Sequence, residues 1–308
     1  MRWTPYSACN DPMTVSRIKF ECRGDQLIGL LHQPAGGSSG LVIITGPMTS
    51  VKEQAPLAYA RALASRGFRA LAMDHRFFGE SGGGPRQFES PRHKGEDIVA
   101  ALDALRQTGE PAFALGVCAG GGYMAAVVAS EPRFQAFAGI AGVYHDAEAQ
   151  QAAMGDKYGA AIERARMARE RRLNGDEVEY IPAVAADLGD VAMPLREAFE
   201  YYGTARGGVS NYVNRFAVES RLETLPFDAQ AAALSIAVPT LLVHSEHALA
   251  PAWARRFYAQ LRVPKRHLWL DTKGQIDFYD DLRLIEPASD GAAAHFTEAA
   301  GRSTAHSR

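Results

Sequence analysis

Cysteine is scarce in this sequence of 308 residues, which contains three: Cys9, Cys22 and Cys118. They are widely separated and form no C-x-x-C pair, which excludes a disulfide framework and a cysteine-bound zinc site. No group of histidine, aspartate and glutamate has metal-ligand spacing, so we expect neither a metal nor any other cofactor.

Long apolar runs and a signal sequence are also lacking. No stretch approaches the length needed to cross a bilayer. The N-terminal segment, residues 1–5, lacks the charged-then-apolar pattern of a secretory signal. We therefore expect a soluble, cytoplasmic protein with no membrane partner.

Charge of one sign is not in excess. The 33 basic and 35 acidic residues give a formal net charge of -2. They are interspersed except between Arg164 and Arg172, where the basic run is typical of a solvated helix face. This balance argues against a nucleic-acid partner.

The length and the 47% hydrophobic content suit one α/β domain with an insertion, and no linker argues for two domains. A hairpin is predicted over residues 16–32. From Leu41 onward, strands that are apolar throughout alternate with helices, which predicts a parallel sheet covered on both faces. The predicted regions are an N-terminal extension (1–15), a core (16–146 and 234–300), a helical cap inserted into it (147–233) and a flexible tail (301–308).

Two helices of the core are predicted with approximate bounds. One runs from about Lys94 to Thr108, and a weak terminal helix lies around Ala292 to Ala299. The cap carries a cluster of aromatic side chains that would suit a lid over a sizeable apolar acyl group, or would simply pack: Phe199, Tyr201, Tyr202, Tyr212 and Phe216.

The segment Gly116-Val117-Cys118-Ala119-Gly120 follows a short apolar strand and precedes an alanine-rich helix. The G-x-C-x-G pattern is that of a nucleophile elbow with sulfur in place of the commoner hydroxyl. A thiol at a helix N-terminus feels positive partial charge, so we expect the pKa of Cys118 to fall toward neutrality. The alternative is a small buried cysteine in a glycine-rich turn.

The order of strands, elbow and cap resembles the α/β-hydrolase superfamily, specifically its dienelactone-hydrolase-like and acyl-peptidase-like branch. The resemblance implies a mostly parallel sheet with an antiparallel N-terminal hairpin and an inserted helical cap. It spans roughly residues 16–300 without most of the cap, and it is carried by short stretches at Val51–Gln54, Met73–Gly83, Pro85–Arg86, Glu89–Pro91, Gly116–Tyr123, Val243–Glu246 and Ile276–Asp280.

In that superfamily a nucleophile, an acid and a histidine follow one another along the chain. Here Gln275 stands where relatives usually carry the histidine, and glutamine cannot accept and return a proton. Ala248 occupies the usual acid position, although Glu246 lies close by. The standard triad is therefore not visible.

A second acid position exists in some relatives at the end of the sixth strand, where this chain has Asp146. An aspartate there could orient an imidazole. His247 is the first candidate for that imidazole and His75 the second, because both follow strands on the edge that carries the elbow. His145 is a poor partner, since adjacent side chains in extended chain point to opposite faces. His267 lies near the wrong end of the last strand, and four other histidines are expected to be structural or on the surface: His32, His93, His295 and His306.

Two backbone N–H groups are predicted to form an oxyanion hole. One belongs to Ala119, directly after the nucleophile. The other comes from the loop after the third strand, where Pro47 has no N–H and Met48 is therefore favoured.

Two classes of function remain open. The first is a cysteine enzyme that forms an acyl-enzyme with an ester, thioester or lactone, as a hydrolase or thioesterase does. For such an enzyme the resemblance implies a second possible reaction, which is non-hydrolytic acyl transfer or Dieckmann-type cyclisation of a polyketide-like chain on a carrier protein. The second class is a pseudoenzyme that binds a ligand without its catalytic histidine. The expected partners are a small acyl substrate, free or carrier-bound, and a second copy of the chain.

Overall fold

The computed structural model describes residues 13–306, with side chains described for 13–302. Ten strands form in chain order: β1 (Thr14–Cys22), β2 (Asp25–Gln33), β3 (Leu41–Thr45), β4 (Arg69–Asp74), β5 (Ala112–Val117), β6 (Phe134–Ile140), β7 (Tyr180–Ile181), β8 (Phe216–Ala217), β9 (Thr240–His244) and β10 (Lys265–Trp269). Eight of them make one sheet in the order β1-β2-β4-β3-β5-β6-β9-β10.

The sheet is antiparallel at one edge and parallel elsewhere. β1 and β2 form a hairpin, and β2 pairs antiparallel with β4. From β4 to β10 all neighbours are parallel. The residues of β3, β4 and β5 are buried throughout, which is the pattern of strands covered on both faces. The predicted fold class is confirmed.

Ten α-helices accompany the strands: α1 (Ala55–Ala64), α2 (Pro91–Leu105), α3 (Ala119–Val128), α4 (Ala147–Met154), α5 (Asp156–Leu173), α6 (Arg196–Tyr202), α7 (Arg221–Thr224), α8 (Pro251–Gln260), α9 (Asp277–Asp280) and α10 (Leu282–His306). Within the described residues, none of these helices is long and apolar enough to cross a membrane.

Residues 147–233, predicted as a cap, add no strand to the main sheet. They form α4 to α7 and the separate two-stranded ribbon of β7 and β8. Tyr201 and Tyr202 of α6 pack against the ring of Tyr279 in α9. The predicted aromatic cluster divides, because Tyr202 stacks on Tyr212 while Phe216 packs inside a small core with Ala165.

Three predicted boundaries differ from the structure. α2 begins at Pro91 rather than near Lys94, because Ser90 caps it by accepting a hydrogen bond from the His93 N–H at 3.3 Å. α10 begins at Leu282 and reaches His306, so the helix predicted around Ala292 to Ala299 is longer at both ends and extends into the predicted tail (301–308). Its Phe296 ring stacks on Phe113 at 4.8 Å, which ties the helix to the core. The predicted N-terminal extension (1–15), with Cys9, lies largely outside the described residues.

Candidate active site

Cys118 occupies the turn between β5 and α3. Its backbone has φ +56° and ψ -126°, an unfavourable region for a residue with a side chain. The Cys118 N–H donates to the Ile140 carbonyl at 3.1 Å, and its carbonyl accepts from Gly121 and Val143 at 2.9 and 2.8 Å. These bonds hold the strained turn between the ends of β5 and β6. This is the geometry expected of a nucleophile elbow.

The glycines beside Cys118 are required by close backbone approach. A Cβ on Gly120 would collide with the Thr45 carbonyl oxygen and lie 2.5 Å from the Gly46 carbonyl oxygen. A Cβ on Gly116 would collide with the Gly120 carbonyl oxygen. The loop after β3 therefore lies directly against the start of α3.

We expect Gly120→Ala to destabilise the protein by about 3 kcal/mol, because the atoms in the way are backbone and cannot rotate aside. Chemical denaturation monitored by circular dichroism measures this loss. Gly159→Ala is the matched control: Gly159 lies in α5 with open space around it, so alanine there should stabilise by about 0.5–1 kcal/mol. Equal effects of the two substitutions would contradict the packing argument.

The Cys118 thiol is 8% exposed and lies within a polar shell. The side chains of Tyr279 and Gln275 and the N–H of Ala119 hydrogen bond to it. Burial nevertheless raises the pKa of Cys118, since removal from water penalises the thiolate more than these donors stabilise it. The expectation of a pKa near neutrality was therefore wrong.

Gln275 takes the place expected for the imidazole. Its side chain is 1% exposed, its Nε2 donates to the Ala141 carbonyl at 2.9 Å, and its Oε1 accepts from the Leu249 N–H at 2.9 Å. Ala248, in the usual acid position, directly precedes Leu249 and is also buried. The two positions at which the resemblance implies a histidine and an acid, 275 and 248, are therefore neighbours in space.

Sequence analysis does not identify two side chains at the site, those of Tyr279 and Glu197. Tyr279 lies one helical turn after Gln275, within the quoted stretch at 276–280, so this spacing was an available signal. Glu197 in α6 accepts hydrogen bonds from the backbone N–H groups of Gln275 and Ile276, both at 3.3 Å. No local signal identifies Glu197, because it lies 78 residues before Gln275.

Asp146 has a structural role. One carboxylate oxygen accepts from the Ala149 N–H at 3.0 Å and caps α4, and the other pairs with Arg256. The predicted orientation of an imidazole by Asp146 therefore does not occur in this structure. The reason is that the chain turns into α4 at this residue and uses the carboxylate as the cap.

His247 and Glu246 lie on the exposed surface beyond β9. Glu246 pairs with Arg255 and accepts from Trp269 Nε1 at 2.7 Å. They lie on the predicted edge of the sheet, but both are exposed there and neither is among the groups that interact with the thiol.

His75 is buried but belongs to another cluster. Its Nδ1 lies 3.2 Å from Asp97 Oδ2, and Arg76 Nε donates to the other oxygen of Asp97 at 2.5 Å. Burial lowers the pKa of His75, which favours the neutral ring. Asp97 belongs to α2, so this pair faces α2 and the prediction of a catalytic role for His75 gains no support.

The other described histidines also have contacts of their own. The His145 ring lies parallel to that of Tyr123 at 6.2 Å, and burial lowers the pKa of His145 to about 4. His267 lies in β10, with its ring 5.2 Å from that of Tyr258. His32 and His295 are buried, and the ring of His93 hydrogen bonds to Ser90. The side chain of His306 lies outside the described residues.

The elements that carry the two predicted oxyanion donors lie against each other, since Thr45 and Gly46 contact Gly120. Ala119 is the first residue of α3, so its N–H has no partner within the helix. Met48 lies in the loop that packs against Gly120. In that loop the Thr49 N–H donates to Glu89 at 3.0 Å, which fixes the backbone directly after Met48. The oxyanion role of both N–H groups stays a prediction.

Part of the chain is similar in sequence to a hydrolase family. Residues 39–190 match the model of the family described as serine aminopeptidase, S33. The uncharacterized protein YcjY of Escherichia coli (strain K12) is 27% identical over 83% of this chain and 88% of YcjY. The uncharacterized protein PA2218 of Pseudomonas aeruginosa is 29% identical over 79% of this chain and 69% of PA2218.

Solved structures extend the likeness to nearly the whole chain. The crystal structure of PA2218 superposes with a TM-score of 0.82 at 27% identity, covering 95% of each chain. That of the α/β hydrolase GrgF from Penicillium sp. sh18 gives 0.76 at 23% identity, covering 92% of this chain and 99% of GrgF. The chain has the α/β-hydrolase fold, and the family-model match supports a hydrolase-type enzyme.

Proposed function

Because the chain has the α/β-hydrolase fold, we propose that it is an acyl-transfer enzyme whose intermediate is a thioester on Cys118. One observation carries the proposal: a cysteine occupies the strained elbow and an amide, Gln275, occupies the place of the imidazole. A thiol is the nucleophile that suffers least from this exchange, since it ionises far more readily than a hydroxyl and is the stronger nucleophile.

Thioesters are the substrates that suit this site. In thiol–thioester exchange the Cys118 sulfur bonds to the acyl carbon, the bond to the leaving sulfur breaks, and the proton of Cys118 ends on that leaving thiolate. The exchange therefore needs no net base. An alkoxide or amine leaving group would need a general acid. The N–H groups of Ala119 and Met48 would hold the oxyanion.

The group that removes the acyl chain from Cys118 decides whether the reaction is hydrolysis, transfer or cyclisation. Water must lose a proton to attack, and the amide of Gln275 cannot accept one. A thiol, an amine or a carbanion on the acyl chain can attack with less help, so transfer or cyclisation is favoured over hydrolysis. Hydrolysis of a thioester, ester or lactone is the alternative if an acyl substrate brings its own base. A ligand-binding protein without turnover is the remaining alternative, and the amide at position 275 is the observation that favours it.

A direct test is to restore the missing pair. In Ala248→Asp/Gln275→His the new carboxylate would lie beside the new imidazole, since the backbone of 249 contacts the side chain of 275. We expect hydrolysis of the acyl-enzyme to accelerate roughly 100-fold, the usual contribution of a positioned base. The decay of an octanoyl adduct followed by mass spectrometry measures the rate.

Gln275→His alone is the matched control. Its imidazole would lack an orienting acid, so we expect a smaller gain than in the double variant. An adduct that decays as slowly in the double variant as in the wild type would contradict the view that a missing base limits hydrolysis.

A further inference from the structure

The cap contacts the segment beside the nucleophile through a carboxylate. Glu197 of α6 accepts one hydrogen bond from the Gln275 N–H and one from the Ile276 N–H, each at 3.3 Å. The approach is close enough that a Cβ on Gly274 would collide with the Glu197 carboxylate. Glycine at 274 therefore lets the cap bind the backbone of the loop that carries Gln275.

The same part of the cap holds Tyr279, the other side chain that hydrogen bonds to the thiol. The ring of Tyr201 packs edge-on against that of Tyr279 at 5.5 Å. Arg206, just after α6, donates two hydrogen bonds to Asp280 at 2.6 and 2.7 Å. Residues 274–280 are thus attached to the cap by backbone hydrogen bonds, by a contact between aromatic rings and by an ion pair.

Glu197 is also the charged group that acts on the thiol. Burial is the main reason that the pKa of Cys118 is raised, and the negative charge of Glu197 raises it further. The other titratable side chains that interact with Cys118 are the phenols of Tyr123, Tyr202 and Tyr279, and burial raises the pKa of each of them, so they remain neutral. Among these groups the electrostatic control of the thiol therefore rests with the cap.

The sulfur is largely covered while this arrangement is in place. Cys118 is 8% exposed, and the rings of Tyr201, Tyr202 and Tyr279 above it are buried. Of the elements that cover it, α6 is a helix of seven residues with no side-chain cap at its N-terminus. A helix this short has little stabilisation of its own.

We propose that Glu197 is a latch between the cap and the nucleophile: with α6 seated, its carboxylate holds residues 274–279 against Cys118 and adds its negative charge to the effect of burial on the thiol, and an entering acyl chain that displaces α6 removes both restraints. This inference deepens the proposed function, on which it rests. Glu197 is a positioning residue, since it acts through the loop and through its charge. The device would keep the thiol unreactive until a substrate is bound.

The test is the pH dependence of Cys118 alkylation by iodoacetamide in the free protein, with Cys118 quantified in the peptide that contains it. In Glu197→Gln we expect the midpoint of the alkylation profile to move to lower pH, and the rate at neutral pH to rise roughly threefold or more. Gly274→Ala, which pushes the carboxylate away from the loop, should shift the midpoint in the same direction. Glu200→Gln, on the same helix but exposed and paired with Arg196, should match the wild type.

The possible outcomes distinguish an effect of the Glu197 charge on the thiol from an effect of looser attachment of the cap. A rate that rises equally at every pH, with an unchanged midpoint, would show only better access and would overturn the proposal, as would a profile identical to the wild type in both Glu197→Gln and Gly274→Ala. Because the titration uses no acyl substrate, its result is independent of whether acyl thioesters label Cys118. Failure of that labelling alone would count against the proposed function and not against the latch.

Discussion

Cys118→Ser should lose acyl-enzyme formation by a factor of roughly a thousand or more, although it changes one atom. A serine hydroxyl at this elbow needs a base to ionise, and the contacts at hand are the amide of Gln275 and the phenol of Tyr279. The sulfur of Cys118 attacks the acyl carbon, and the sulfur of the thioester leaves, without that help. The rate of thiol release from an octanoyl thioester measures the loss.

Cys22→Ser is the matched control for this substitution. Cys22 is also a buried free cysteine, but it lies at the end of β1, next to Asp97 and not at the elbow. We expect it to keep wild-type acylation. Substantial acylation of Cys118→Ser would indicate a base at the site and would contradict the central role given to sulfur.

Lys52→Met should destabilise the protein by about 3–5 kcal/mol, the cost of leaving a buried carboxylate without its cation. Lys52 is 1% exposed and its ammonium lies 2.8 Å from Asp74, which is fully buried. The ammonium also pairs with Glu53 at 2.7 Å and Glu80 at 2.6 Å. Removing it leaves three carboxylates facing one another. Urea denaturation gives the difference in the free energy of unfolding.

The pair of Lys52 and Asp74 also fixes the site. The Lys52 N–H donates to Asp74 at 2.8 Å and so ties the loop after β3, with Met48, to the end of β4. Arg17→Met is the control, because its pair with Glu80 is exposed and such pairs contribute about 0–1 kcal/mol. A loss for Lys52→Met no larger than that for Arg17→Met would show that the buried pair is not important for stability.

The fold could be predicted because its signals are local. Apolar strands such as Leu41–Thr45 are buried on both faces, and a continuous run of hydrophobic residues in the sequence indicates this burial. The elbow was predictable for the same reason: Gly116, Cys118 and Gly120 are neighbours in sequence, and the steric demand that selects the glycines acts within a few residues.

The rest of the site depends on contacts between distant residues. Strand order indicated which residues reach the elbow's edge, but not where their side chains point. His247 is exposed there, Asp146 is used as a helix cap, and His75 pairs with Asp97 in α2. The raised pKa of Cys118 reflects the depth of the surrounding packing, which the helix N-terminus alone does not reveal.

The most direct test of the account is the lifetime of the adduct on Cys118. Purified protein is exposed to an octanoyl thioester, freed of excess reagent and followed by intact-mass spectrometry in buffer alone and with added cysteamine. The account predicts one octanoyl group on Cys118 that persists in buffer and is removed rapidly by the added thiol. Absence of an adduct at Cys118, or an adduct lost equally fast in buffer and in cysteamine, would contradict it.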